Sequence, residues 1–264
     1  MTYDKAVQDH YDKVAAECGD SPTSTMADAI TRRIETDAVV GFIRLAMASK
    51  DSAIADVGCG NGHTLAELAQ RFPHARLTGF EQNAAMRVIA ERRFDGSGVR
   101  IFPGDIRNAK FADGQKFGCI VCQRVLINLL DPRDQKMALD NLVAATKPGG
   151  HLIFIEAFTS GLGRLNTARE EFGLPPLPAA EHNLYLPDDF FMDASLTPFS
   201  PPGWHVSPNE LSTHYFVSRV LHPALLGTRP FVRNSEFVRF FSEALPPAIG
   251  DYTQLRILAF TRRA

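Results

Sequence analysis

The sequence lacks the features that mark several common classes of protein. Four cysteines in 264 residues are too few for a disulfide-stabilised scaffold. The net charge is −2 with both signs dispersed, so no basic excess points to nucleic acid or to an anionic membrane. No uninterrupted apolar run reaches the length of a bilayer span, and the first residues do not form a signal-peptide pattern. We therefore expect a cytoplasmic protein without nucleic-acid or membrane partners, and a homodimer remains open.

Strands and helices alternate through the middle of the chain. Hydrophobic residues make up 45% of the sequence, enough for one core with an appended cap. The alternation predicts a parallel sheet with helices on both faces and ligands at the carboxyl ends of its strands. Strands are predicted near 53–57, 76–81, 99–103, 117–122, 151–157, 213–220 and 254–262, and helices near 62–71, 83–94 and 132–146. Cys119 and Cys122 fall three apart in a predicted strand, which places them on opposite faces in the core.

Residues 55–62 form the most informative segment, Ala-Asp-Val-Gly-Cys-Gly-Asn-Gly. A short apolar strand runs into alternating glycines and then into a helical pattern, as in a strand–loop–helix nucleotide pocket. Dinucleotide-binding loops need a further glycine three positions after the second one, and His63 stands there. The segment therefore favours a nucleotide ligand other than a dinucleotide.

This Asp-x-Gly-x-Gly-x-Gly pattern resembles motif I of the class I S-adenosyl-L-methionine (SAM) methyltransferases. Three further segments follow at the family's intervals: 77–81, which ends in Glu81, then 104–106, and 147–150 with the sequence Lys-Pro-Gly-Gly. The resemblance covers about residues 50–157. It implies an α/β fold with a Rossmann-like, seven-stranded, mostly parallel sheet, and SAM as the cofactor.

The resemblance also suggests a division of the chain into four segments. Residues 1–50 are predicted to be a helical segment over the cofactor site, and 51–158 to be the SAM-binding core. Residues 159–212 contain eight of the seventeen prolines and are too long for a simple connection, so we expect a substrate cap inserted after the fifth strand. Residues 213–264 should complete the sheet.

The expected cofactor residues follow from the matched motifs. Glu81 ends the second strand, where a carboxylate accepts hydrogen bonds from a ribose diol. Arg32 resembles an arginine that reaches the SAM carboxylate in some members, although Asp28, Arg32 and Glu35 equally fit a solvated helical stripe. The full predicted set is Asp56, Gly58, Gly60, Gly62, Glu81, Gln82, Asp105, Ile106, Gln123, Arg32 and Tyr11.

The acceptor is expected beside the end of the fourth strand. The motif of nucleic-acid amino-methyltransferases is missing there, and Gln123 and Arg124 stand where catechol-type enzymes have metal-binding acids, so we expect no metal. We therefore predict an enzyme of biosynthesis that transfers a methyl group, without a metal ion, to an oxygen or nitrogen of a small metabolite. Predicted substrate residues are Arg124, Asn128, Asn183 and Tyr185, and candidate catalytic bases are His182 and Glu156, with His214 and His10 behind them. An NAD-dependent oxidoreductase and a non-catalytic SAM-binding protein remain as alternatives.

Overall fold

A seven-stranded sheet lies at the centre of the fold. The computed structural model describes residues 3–47, 53–193 and 195–264. The strands are Ala53–Val57 (β1), Arg76–Phe80 (β2), Arg100–Phe102 (β3), Phe117–Gln123 (β4), Thr146–Ala157 (β5), Leu196–Pro198 (β6) and Leu255–Arg262 (β7). Their order in the sheet is β3-β2-β1-β4-β5-β7-β6. Strands β1 to β5 are parallel, whereas β7 runs antiparallel to both β5 and β6.

Helices flank the sheet and carry much of the site. They are Tyr3–Cys18 (α1), Ala29–Ala46 (α2), His63–Arg71 (α3), Ala84–Arg93 (α4), Pro132–Ala145 (α5), Thr159–Glu171 (α6), Ser212–Phe216 (α7), His222–Leu226 (α8) and Glu236–Ala244 (α9). A π-helical turn at Val217–Leu221 joins α7 to α8, and a 3₁₀ turn at Leu126–Asn128 follows β4. In the described part of the chain, no helix combines the length and apolar character needed to cross a membrane.

Two hydrophobic cores cover the two faces of the sheet. Side chains alternate between faces along a strand, so Ile120 and Cys122 of β4 enter one core and Cys119 and Val121 enter the other. All four are buried. The prediction that the two cysteines point to opposite faces of a buried strand is confirmed.

The predicted fold class is confirmed, with one strand misplaced. The strand predicted near 213–220 is wrong: α7 and the π-helical turn occupy these residues. Nearly every residue of this segment is buried. Its apolar residues therefore show no periodicity that would distinguish a strand from a helix. The seventh strand is instead β6, a three-residue edge strand inside the predicted cap, where Pro198 is tolerated because an edge needs fewer backbone donors.

The predicted cap returns across the carboxyl ends of the sheet. The amide of Leu184 donates to the carbonyl of Ile127 at 2.7 Å, and the amide of Leu186 donates to Ala157 at 2.9 Å. Residues 182–185 therefore lie beside the ends of β4 and β5. The four-segment division stays a prediction, and its first boundary, between residues 50 and 51, lies outside the described residues.

Candidate functional site

One cavity lies at the carboxyl ends of β1, β2 and β4, beside α1 and the start of α2. Its volume is about 240 Å³, and we call it the first cavity. Nine of the eleven predicted cofactor residues line it: Asp56, Gly58, Gly60, Glu81, Gln82, Ile106, Gln123, Arg32 and Tyr11. Gly62 and Asp105 do not.

The glycine loop forms one wall of the first cavity. The amides of Gly58 and Cys59 both donate to the carbonyl of Phe80, at 2.8 and 3.1 Å, which turns the chain sharply after β1. Gly58 has a φ of +68°, and a Cβ there would lie 2.3 Å from a methyl group of Val125. A side chain at this position would therefore be strained in conformation and would also clash.

Gly62, a predicted cofactor residue, does not line the first cavity but has a role in packing. It precedes α3 with a φ of +79°. A Cβ there would lie 2.7 Å from the ring of Phe94, which belongs to the packing of α4. Gly62 therefore allows α3 to pack closely and faces away from the first cavity.

Two carboxyl groups lie together at the end of β1 and β2. Glu81 accepts hydrogen bonds from the amides of Gly60 and Asn83, each at 2.8 Å. Burial raises the pKa of Glu81. Burial, reinforced by the nearby charge of Glu81, raises the pKa of Asp56 to about 8. This end of the first cavity favours a ligand that brings positive charge or hydroxyl donors.

Asp105, a predicted cofactor residue, does not line the first cavity, although Gln82 and Arg107, which do line it, both donate to its carboxylate. Its carboxylate accepts from Nε of Arg107 at 3.0 Å and from Nη2 at 2.6 Å. Burial opposes ionisation of Asp105, but the hydrogen bonds from Arg107 outweigh it and lower its pKa. Ile106, the next residue, does line the cavity. The short Asp-x-Arg spacing allows this local ion pair to form.

Two lining residues of the first cavity, Arg32 and Gln123, carry hydrogen-bond donors without partners. Arg32 is only 7% exposed, so the solvated-stripe alternative is wrong. Its Nη2 donates to the hydroxyl of Thr25 at 2.6 Å, but its Nε is buried without a hydrogen-bond partner. Nε2 of Gln123 is likewise buried without a partner, while its Oε1 accepts from Thr64 at 2.8 Å. Two unpaired donors call for a ligand with acceptor oxygens.

A second cavity of about 330 Å³ adjoins the first. Thr25, Tyr11, Arg124 and Asn128 line both cavities. Nδ2 of Asn128 donates to the hydroxyl of Tyr11 and to the carbonyl of Arg124, both at 2.8 Å. These side chains therefore form the boundary at which two different ligands would meet.

Arg124 is held tightly at that boundary. Its φ is +55°, an uncommon value for a residue with a side chain, and its amide donates to Ile155 at 2.8 Å. Its guanidinium forms an ion pair with Glu35, whose side chain is fully buried. The strained backbone aims the arginine back across the sheet toward α2.

The predicted cap residues His182, Asn183 and Tyr185 all line the second cavity. The ring of His182 stacks on that of His10, with centroids 3.8 Å apart and planes inclined by 18°. Burial, with His10 beside it, lowers the pKa of His182. The imidazole is therefore neutral near pH 7 and able to accept a proton.

Comparison with known proteins agrees with this geometry. Residues 54–150 match the model of a family described as a methyltransferase domain. An uncharacterised methyltransferase of Mycobacterium tuberculosis is 31% identical over 109 residues, which are 41% of this chain and 52% of the relative. A trans-aconitate 2-methyltransferase of Escherichia coli is 46% identical over 55 residues, 21% of each chain. The matches thus span about half or less of these curated relatives.

The overall fold also resembles that of a solved structure. Magnesium protoporphyrin IX methyltransferase from Synechocystis PCC 6803, solved with bound S-adenosylhomocysteine, aligns with a TM-score of 0.54 at 15% identity. The alignment covers 88% of this chain and 84% of that one. At this level of identity the likeness concerns the fold.

Glu156 lies below the turn after β4 and lines neither cavity. It is 0% exposed, and its carboxylate accepts from the amides of Val125, Leu126 and Ile127 at 2.9 to 3.3 Å. Burial raises its pKa to about 7, although these amides favour the ionised form. The predicted role as a catalytic base does not fit this position. Glu156 instead fixes the turn that presents Arg124 and Asn128.

His214 is also remote from the cavities. Its ring lies 2.9 Å from Asp28 and 2.9 Å from the hydroxyl of Ser242. Asp28 caps α2 by accepting from the amide of Thr31 at 3.1 Å, and it also pairs with Arg219 at 3.2 Å. This buried network anchors the start of α2, the helix that carries Arg32.

Several cavity residues were not expected from the sequence. Tyr215 and Gln254 line the second cavity but precede no recognisable motif. Tyr215 belongs to the segment predicted as a strand, and Gln254 comes immediately before β7. Only the tertiary structure brings these two residues to the cavity that residues of α1 also line.

Proposed function

We propose that this protein is a SAM-dependent methyltransferase that transfers the methyl group to an oxygen or nitrogen of a small molecule. The observation that carries the proposal is the pair of adjoining cavities, which share Tyr11, Arg124 and Asn128 as their boundary. The first cavity has the residues of the family's cofactor motifs. The second lies against them and opens onto the predicted cap.

The side chains of the first cavity fit the polar groups of SAM. The unpaired Nε of Arg32 and Nε2 of Gln123 suit a carboxylate. Glu81 uses one lone pair on each oxygen for backbone amides, and its remaining lone pairs suit the ribose hydroxyls. Asp56 suits the cationic groups, and a bound cation would favour its ionised form.

Methyl transfer requires mainly positioning and exclusion of water. The acceptor's lone pair forms the new bond to the methyl carbon, the carbon–sulfur bonding pair returns to sulfur to give S-adenosylhomocysteine, and the acceptor releases a proton. Tyr11, Arg124 and Asn128 are placed to orient the acceptor at the boundary. His182, neutral and inside the second cavity, is our candidate to take the proton. An acceptor amine would need only its neutral form.

Binding and turnover together test the proposal. Calorimetry should show binding of SAM and S-adenosylhomocysteine and none of NAD, since His63 begins α3 where a dinucleotide loop needs glycine. Binding of NAD alone would support the oxidoreductase alternative. Formation of S-adenosylhomocysteine with a panel of small hydroxyl and amine compounds would distinguish an enzyme from a non-catalytic SAM-binding protein. Turnover should survive dialysis against a chelator, because we propose a metal-independent reaction.

A further inference from the structure

We infer that the methyl acceptor is an uncharged, multiply hydroxylated ring compound, in preference to a carboxylate or a phosphate ester. The inference rests on the proposed function, in which the second cavity holds the acceptor. It comes from the charges, the unpaired polar atoms and the rings that surround this cavity.

The second cavity offers no uncompensated charge to an ionic ligand. Among its described lining residues, Arg124 is the one permanently charged side chain, and it is paired with the buried carboxylate of Glu35. Burial lowers the pKa of both His10 and His182, so the stacked imidazoles are neutral near pH 7. Moving a carboxylate or phosphate out of water is costly unless an unpaired cation receives it. The cavity therefore selects against anions.

Two buried amide oxygens on this cavity need hydrogen-bond donors. Oδ1 of Asn183 and Oε1 of Gln254 are buried and have no hydrogen-bond partner. An ionised carboxylate supplies only acceptors and would leave both oxygens unsatisfied. Hydroxyl groups at two positions of a ligand would satisfy both.

Rings surround the remaining space. Tyr11, Tyr185 and Tyr215 line the cavity, together with the stacked pair of His10 and His182. Aromatic side chains provide flat apolar faces with polar edges, which suits a compact ring that carries hydroxyl groups at its periphery. A flexible chain would lose more conformational freedom on binding the same surface.

Matched probe pairs test this inference in the presence of saturating S-adenosylhomocysteine. Methyl glucopyranoside and glucuronic acid share one ring, and 3,4-dihydroxybenzyl alcohol and 3,4-dihydroxybenzoate share another. The neutral member of at least one pair should raise the melting temperature at millimolar concentration, and its acid should bind roughly tenfold more weakly or worse. Tighter binding of the acids, or no binding of either neutral probe, would overturn the inference. Failure to bind S-adenosylhomocysteine at all would remove the proposed function and this inference with it.

Variants localise the effect. Gln254→Leu and Asn183→Leu should each weaken binding of the neutral probe by roughly tenfold and leave the affinity for S-adenosylhomocysteine unchanged. Gln70→Leu, at an exposed position on α3, is the matched control and should change neither. Glu35→Gln should strengthen binding of the acid probe, because it leaves the charge of Arg124 uncompensated. If both leucine variants bind the neutral probe as tightly as the parent protein does, the proposed contacts are wrong.

Discussion

Replacing Arg32 by Met gives the sharpest test of how the first cavity holds its ligand. Methionine retains much of the apolar stem of the buried arginine but removes the guanidinium, including the bond to Thr25 and the unpaired Nε. If Arg32 binds the SAM carboxylate, the variant loses a hydrogen bond between charged groups, worth about 1.5–3 kcal/mol. We therefore expect the Kd of S-adenosylhomocysteine to rise by roughly 10- to 150-fold.

Calorimetry with two ligands separates this effect from a general defect. Adenosine lacks the carboxylate, so its affinity should be unchanged in Arg32→Met. Arg33→Met is the neighbouring control: Arg33 has a side chain that is 53% exposed and pairs with Glu243 at 2.8 Å, and exposed pairs contribute only about 0–1 kcal/mol. Equal losses for both ligands in Arg32→Met would refute the carboxylate assignment and point to a folding defect.

Four further outcomes follow from the structure. Gly60→Val should abolish SAM binding in calorimetry and also lower the melting temperature, because a φ of +56° is strained for a β-branched residue, although a Cβ meets its neighbours only at 3.4 Å or more. Unchanged affinity for SAM would contradict the motif assignment. Glu81→Ala should weaken the binding of SAM by about 1–3 kcal/mol. A loss of affinity well below tenfold would mean that Glu81 does not bind the cofactor. His182→Ala should lower turnover by roughly 10²–10⁴-fold and leave SAM affinity nearly unchanged. The control His74→Ala, at an exposed position, should change neither turnover nor affinity. Unchanged turnover in His182→Ala would exclude His182 as the base. Folding raises the pKa of Asp56 from 3.8 to about 8, so between these pH values the folded protein keeps this proton and the unfolded chain has released it. The free energy of unfolding should therefore fall as the pH rises from about 4 to about 8. The contribution of Asp56 is at most about 1.4 kcal/mol per pH unit, and urea unfolding of Asp56→Asn should show a flatter pH profile; an unchanged profile would mean that Asp56 is ionised in the folded protein.

The local sequence determined the alternating elements and the glycine loop. Apolar periodicity and turn residues specify most strands and helices from neighbouring residues alone, as Asp131 and Pro132 at the start of α5 illustrate. The loop of Gly58 and Gly60 is equally local, because its backbone conformation requires glycine regardless of the surroundings. The sequence also allowed us to predict that Arg124 and His182 belong to the acceptor site. Arg124 follows the fourth strand, and His182 lies in a polar and aromatic part of the predicted cap.

Only the tertiary structure decided where the charged and polar side chains point. Glu156 lies near the end of β5 and Asp105 follows β3, so both stand near carboxyl ends of strands. Yet Glu156 accepts from backbone amides of the turn after β4, and Asp105 accepts from Arg107. The stack of His10 on His182 and the unpaired oxygen of Gln254 depend on segments that are far apart in the chain. Burial and pairing between distant segments set the side-chain directions and pKa values, and neither is encoded in the spacing of nearby residues.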